Sequence, residues 1–344
     1  MSNERTGGRT RANAPARTQW LGYLLAAACL AWVLHDIHPE RAFRDLPSLR
    51  WGWVAAGVGC DLLSYVAQGL RWKLLLLPVG RVRVSQCVRA IYAGLFVNEV
   101  LPLRAGELLR AHLVARDAGL PFPVVLTLVG VERLLDGVLM ALAIGVVSLH
   151  VPLPGSMKRA AEAFGLVILL LLLGFIVLLC VLERRHLARM RSGQPSGQTE
   201  TRLGRVLEGL RVQAKAPSFY VAAVASSLIP AGQILALWAM TNAFGFGLTL
   251  WAAAAVLIII NLGVAVPNAP ANAGSYQFFC VFGLTLLGVE KSRAAGFSIA
   301  GYLLLTLPFL LLGFLALVRS GLNVSGLSGQ VRRLADQAVE RSGS

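Results

Sequence analysis

The residues that could do chemistry crowd into two neighbouring apolar stretches. Glu99, Arg104, Glu107 and Arg110 lie in the first, and Glu132, Arg133 and Asp136 in the second. A charge in hydrocarbon costs at least about 2.5–3.5 kcal/mol on insertion scales, so a cluster this dense is paired, hydrated or functional. Arg104, Glu107 and Arg110 recur every third residue and share one face if helical. Glu132 and Asp136 are four apart, and Arg133 and Asp136 three apart, which makes a second charged face. These charges either neutralise one another and lock two elements together, or they bind something. Apolar packing locks elements more cheaply than buried ion pairs do, which favours binding.

The chemistry predicted is anion recognition. A short helix beginning near Arg104 and a second beginning near Ser275, a good N-cap residue, would each turn unpaired N–H groups into the membrane. Together with Arg104 and Arg133 they would converge on an anion, in a bilayer a lipid phosphate. Asn98, Asn268, Asn272 and Gln277 would read polar headgroup atoms. Glu99, Glu107 and Asp136 would orient the arginines or relay protons. Asp61 stands apart, either as a proton site or as a polar notch facing Gln68 or Arg71.

The elements that must position these residues are membrane helices. Of 344 residues 56% are hydrophobic and 14% charged, with mean hydropathy +0.67. Soluble domains carry about 25% charged residues, so a soluble globular enzyme is excluded. The apolar runs are long and unbroken, unlike the alternation of a membrane β-barrel. The fold class read from this is all-α, a polytopic integral membrane protein. A full crossing needs roughly 20 apolar residues. Spans are expected at Trp20 to Leu34, an anchor rather than a cleaved signal, then at Trp51 to Leu77, Phe122 to Leu149, Ala163 to Leu182 and Tyr220 to Ala243. The last runs from Leu303 to Val318, starting near Ala294. Val88 to Arg116 and Leu250 to Val289 read instead as down-and-back hairpins, the second broken by Pro267 and Pro270. The total is six full spans plus two re-entrant elements, or eight spans if the second hairpin crosses fully.

The net charge of +15 fits basic cytoplasmic loops facing anionic lipid, and no nucleic-acid motif is present. Residues 71–89 carry Arg71, Lys73, Arg81, Arg83 and Arg89 with no acid, and residues 183–215 are likewise basic, so both loops read as cytoplasmic. Both termini read as cytoplasmic too. Pro102-Leu103-Arg104-Ala105-Gly106 and Pro270-Ala271-Asn272-Ala273-Gly274 share the pattern Pro-x-x-Ala-Gly at the two hairpin tips. Each tip follows two spans and precedes one, so the second half would be inverted relative to the first, the plan of secondary transporters. The expected organisation is a basic tail over 1–18, a first membrane repeat over 19–150, a second over 151–318 and a cytoplasmic tail over 319–344. The five cysteines are scattered and predict neither metal site nor disulfide, and no cofactor is expected.

Asn98-Glu99-Val100-Leu101-Pro102-Leu103-Arg104-Ala105-Gly106-Glu107, with Arg110, Glu132-Arg133 and Asp136, resembles the signature of the flippase-like family. That family includes the transmembrane domain of lysylphosphatidylglycerol synthases, the multiple peptide resistance factor. The resemblance covers most of the chain. It departs at Pro270 to Gln277, where the family shows Pro-Gly-Gly-x-Gly-x-x-Glu and Gln277 replaces the acid. The resemblance implies a bacterial inner-membrane protein that moves phospholipids or lipid-linked sugars between leaflets. It does not imply aminoacyl transfer, which belongs to a separate soluble domain for which these 344 residues are expected to leave no room. The expectation is therefore a transporter and no enzyme, with membrane lipids as partners and self-association into a homo-oligomer left open. The rivals are an accessory subunit of a lipid-modifying enzyme and an intramembrane glycosyl- or acyltransferase.

Overall fold

The structure is a computed structural model. It describes residues 48–101, 105–151, 216–264 and 272–321, with single helical positions between 29 and 33 and between 155 and 184. Residues 1–18 and 322–344, nearly all of the loop 183–215 and most of the first and fourth expected spans lie outside the described residues. So do Pro102, Arg104 and Asn268.

Among the described residues every regular element is a helix. The first half contains α1 (Trp51–Leu76), α2 (Val84–Val100), α3 (Gly106–Ala118) and α4 (Phe122–His150). The second contains α5 (Pro217–Ala225), α6 (Leu228–Ala243), α7 (Leu250–Val264), α8 (Ser275–Leu286) and α9 (Lys291–Arg319). The ends have local causes. Pro121 and Pro123 fix the entry to α4, where missing N–H groups leave no helical bond unmade. Gly119 ends α3 at φ 64°, a left-handed position that glycine occupies without steric cost.

The expected span Tyr220 to Ala243 is interrupted at Ser226–Ser227. Pro230 has no N–H to return to Ser226, and both serine hydroxyls donate instead to carbonyls of the preceding turn, Ser226 to Ala222 and Ser227 to Val224. Counted through that break, Pro217–Ala243 is 27 residues long, and α9 is 29; both are long and apolar enough to cross a membrane.

The polarity of the helices is reversed relative to a protein in water. Leu303, Leu307, Leu311 and Leu315 recur every fourth residue along α9 and are 43–62% exposed. Phe297 and Leu317 on the other side are buried. On α4, Leu142 and Leu149 face outward while Glu132 is fully buried. Apolar outside and charged inside is what a hydrocarbon solvent selects.

Two cores share the long helices. Trp72 and Leu76 of α1 and Phe309 and Leu317 of α9 pack with α2, α3 and the start of α4. Val54 of α1 and Phe297 and Ala300 of α9 pack with α6, α7 and α8. The pairings run in parallel. α2 packs on α3 and α3 on α4, as α7 packs on α8 and α8 on α9. Each hairpin also reaches across, α2 to α9 and α7 to α4, and α1 lies against α6.

Both hairpins close through glycine. A Cβ on Gly106 would meet the Gly94 carbonyl oxygen at 1.9 Å, and one on Gly263 would sit 2.0 Å from the Phe279 ring. The α1–α6 contact is similarly close, with Gly57 against Ala236 and Met240 and Gly232 against Cys60 and Ser64.

Candidate functional site

Glu132 sits at the centre of the charged cluster, on the inward face of α4. Its carboxylate accepts hydrogen bonds from Gln68 Nε2 at 2.8 Å, Trp72 Nε1 at 2.8 Å, Arg110 Nη2 at 2.8 Å, Arg110 Nη1 at 3.3 Å, and Arg71 Nη2. Two carboxylate oxygens offer about four lone-pair sites, so this acid is saturated with donors. Arg71 also donates to Asp136 one turn further along α4. The Arg110 guanidinium lies 4.8 Å from the centre of the Trp72 ring. Arg71, Arg110 and Glu132 are all buried, and the Nε atoms of both arginines have no hydrogen-bond partner.

Arg133 occupies the rim. It faces Glu107 Oε1 at 3.3 Å, Asp136 Oδ2 at 3.5 Å and Glu132 Oε1 at 4.0 Å, and its side chain is 42% exposed. Arg71, Arg110 and Arg133 thus balance Glu107, Glu132 and Asp136. Charge within this cluster cancels, and its most exposed cation, Arg133, reaches outward.

Sequence reasoning placed Arg71 in a cytoplasmic loop; it is instead completely buried in the last turns of α1. The signal was present. Gln68, Arg71, Trp72 and Leu75 are spaced i, i+3, i+4 and i+7, which puts them on one helical face. Gln68 and Arg71 serve Glu132 and Asp136, so the notch expected to engage Asp61 does not form.

Glu99 leaves the cluster. It accepts a hydrogen bond from the Tyr302 hydroxyl of α9 at 2.9 Å. Two of the amides predicted to read a headgroup have local duties. Asn98 Oδ1 accepts the Gly106 N–H at 2.8 Å and caps α3, while Gln277 Oε1 accepts the Gly274 N–H at 2.8 Å at the start of α8. Ser275 is the first residue of α8 rather than its cap, which is Gly274. Ser275 is buried against the second core and hydrogen-bonds the Cys29 side chain. Asn272 adopts φ 48°, a left-handed tip conformation that asparagine tolerates. At the start of α3 the Leu109 N–H donates to the Ala105 carbonyl at 3.2 Å.

Comparison with known proteins adds the following. A family model described as the lysylphosphatidylglycerol synthase TM region matches residues 19–313. The glycosyltransferase AglD of Haloferax volcanii is 28% identical over 145 residues, covering 42% of this chain and 23% of that protein. The chain therefore matches under a quarter of the length of this curated relative. No solved structure matches the chain.

Proposed function

We propose, from the premise that the chain belongs to the family of lysylphosphatidylglycerol synthase transmembrane regions, that it is a lipid transporter. Its substrate is an anionic phospholipid or lipid-linked sugar, moved between the leaflets of the bacterial inner membrane. The observation that carries this is the charge-balanced cluster, with Arg133 as its loosely held, half-exposed cation. A lipid phosphate would take the place of Glu107 and Asp136 on Arg133, next to the N-terminal end of α3. Arg71, Arg110 and Glu132 form the rigid floor beneath it. Arg104, predicted on the adjoining tip, is the second cation of the reading.

Six spans and two re-entrant hairpins in inverted halves are the architecture proposed, with both termini cytoplasmic. Two features support it. α2, α3, α7 and α8 have 17, 13, 15 and 12 residues, below the roughly 20 that a full crossing needs. The packing of α2 on α9 is mirrored by that of α7 on α4.

The test is leaflet exchange in proteoliposomes over a panel of anionic and zwitterionic fluorescent lipids. Wild type should move lipids of preferred headgroup, and Arg133→Ala and Arg104→Ala should each slow that movement while the protein stays folded. Exchange unaffected by both substitutions would overturn the phosphate site. The match to AglD favours a second reading, transfer of a sugar to a lipid carrier. Label appearing on a lipid acceptor from a nucleotide sugar, with no leaflet exchange, would support that one.

A further inference from the structure

Asp61 and Glu99 are left over once the cluster is assembled. Asp61 lies in the middle of α1, 7% exposed, and none of the described residues forms an ion pair or hydrogen bond with its side chain. Glu99, near the tip of the first hairpin, has no cation at ion-pair distance among the described residues. Among the described residues, tyrosine hydroxyls lie near both acids. Tyr65, one turn on from Asp61, lies within electrostatic reach of both acids. Tyr276 of α8 and Tyr92 of α2 lie within reach of Asp61. The Tyr276 and Tyr302 rings are 4.8 Å apart between centres, and Tyr302 bonds Glu99. Tyr92 gives its own proton to the Leu62 carbonyl at 2.9 Å.

An ionised carboxylate inside a membrane without a counter-charge is strongly disfavoured. Glu132 meets that demand with two arginines. Among the described residues, Glu132 has two arginines bonded to it, whereas Glu99 has a phenol. Phenols neutralise nothing, but each can accept a proton and release one. The first hairpin reaches this place through Glu99, the second through Tyr276, and α1 and α9 through Asp61 and Tyr302, so the two halves meet around it.

We propose that Asp61 and Glu99 form an intramembrane proton-binding site, with Tyr65, Tyr276 and Tyr302 as the hydroxyls between them, and that its loading is coupled to lipid movement. A proton arriving at one carboxylate makes a carboxylic acid. Leaving, that O–H breaks as a tyrosine oxygen that has moved into hydrogen-bond contact takes the proton and releases its own towards the other carboxylate. Only O–H bonds form and break, and no co-reactant is needed. The coupling rests on the transport reading; proton binding does not.

Two measurements separate them. First, pH-difference infrared spectra of the protein in lipid nanodiscs should contain a protonated-carboxyl C=O band. Asp61→Asn should remove one component and Glu99→Gln another, whereas Asp61→Glu, which keeps a carboxyl, should retain it. Difference spectra unchanged in folded Asp61→Asn and Glu99→Gln would overturn the proton site. Second, an imposed pH gradient across proteoliposomes should bias the lipid distribution by up to about tenfold per pH unit for one proton per lipid. Asp61→Asn should abolish that bias while downhill exchange continues. Exchange indifferent to the gradient in wild type would overturn the coupling. Absence of exchange for every lipid, with the infrared bands behaving as described, would refute the transport reading and leave the proton site standing.

Discussion

Replacing Glu132 by Gln tests the charge balance at its tightest point. The amide keeps the shape and one acceptor oxygen but removes the negative charge, leaving three arginines against Glu107 and Asp136. The remaining arginines are not equivalent. Arg71 keeps Asp136 as a partner. Arg110 is 5% exposed, and its hydrogen-bonded acid is Glu132. Breaking a buried ion pair from one side costs about 3–5 kcal/mol, against roughly 1–3 kcal/mol for an unsatisfied neutral group. The loss expected for Glu132→Gln is therefore about 3–5 kcal/mol, most of it from stranded Arg110. Adding Arg110→Met should recover much of the loss, because the uncompensated charge is gone. Adding Arg71→Met should recover less, because Arg110 stays without its acid and Asp136 loses one of its two arginines. The assay is reversible unfolding of purified protein in mixed micelles, followed by tryptophan fluorescence, for the two double variants and their parents. A cost below about 1 kcal/mol for Glu132→Gln, or equal rescue by both methionines, would refute the assignment of the deficit to Arg110.

Three further outcomes follow from the geometry. Gly106→Ala places a methyl 1.9 Å from the Gly94 carbonyl and should destabilise the protein by about 1–3 kcal/mol, whereas Gly145→Ala, with nothing within 4 Å, should be neutral or slightly stabilising; thermal unfolding in detergent compares them. Asn98→Ala removes the cap of α3 and should cost about 1 kcal/mol, while Asn98→Asp keeps an acceptor and the stability. If an anionic headgroup docks at that helix end, Asn98→Asp should nonetheless slow exchange of anionic lipids more than zwitterionic ones in liposomes. Gly263→Ala forces the Phe279 ring aside and should loosen the second hairpin as Gly106→Ala loosens the first, read as faster hydrogen exchange in α7 and α8.

The ends of α1 and α4 were legible in the sequence to within a residue, because long apolar runs begin at Trp51 and at the Pro121–Pro123 pair. That α2 and α3 are separate, packed helices was legible too, since an apolar stretch too short for a span runs straight into Arg104 and Glu107. The break at Ser226–Ser227 was missed because serine is apolar enough not to disturb hydropathy. Its effect comes from hydroxyls competing for carbonyls and from Pro230 three residues on. At the site, the residue types were right and their allegiances partly wrong. Spacing along one helix joined Arg110 to Glu107, but Arg110 turns to Glu132 on another helix. Nothing local could predict that, since it depends on how α3 crosses α4. Arg71 was assigned to solvent by loop-charge counting, a rule about averages that fails for a single guanidinium drawn inward by Glu132 and Asp136. Asn98 and Gln277 looked like free amides because helix-capping partners become visible only when the hairpins close.

The buried partnership of α1 and α4 constrains how the protein is made. Arg71 is synthesised 61 positions ahead of Glu132. Until Glu132 arrives, α1 carries an arginine near its end with nothing to neutralise it, which disfavours its settling at full depth. α4 in turn brings Glu132, Arg133 and Asp136, each costing roughly 2.5–3.5 kcal/mol if it enters lipid alone. Neither helix is a good independent passenger of the insertion machinery. The two become acceptable to the bilayer as a pair, with α2 and α3 emerging between them and Arg110 completing the set. Assembly order is thereby written into the cluster: a nascent chain halted before residue 132 should hold α1 shallow and extractable, and one halted after α4 should hold it fast.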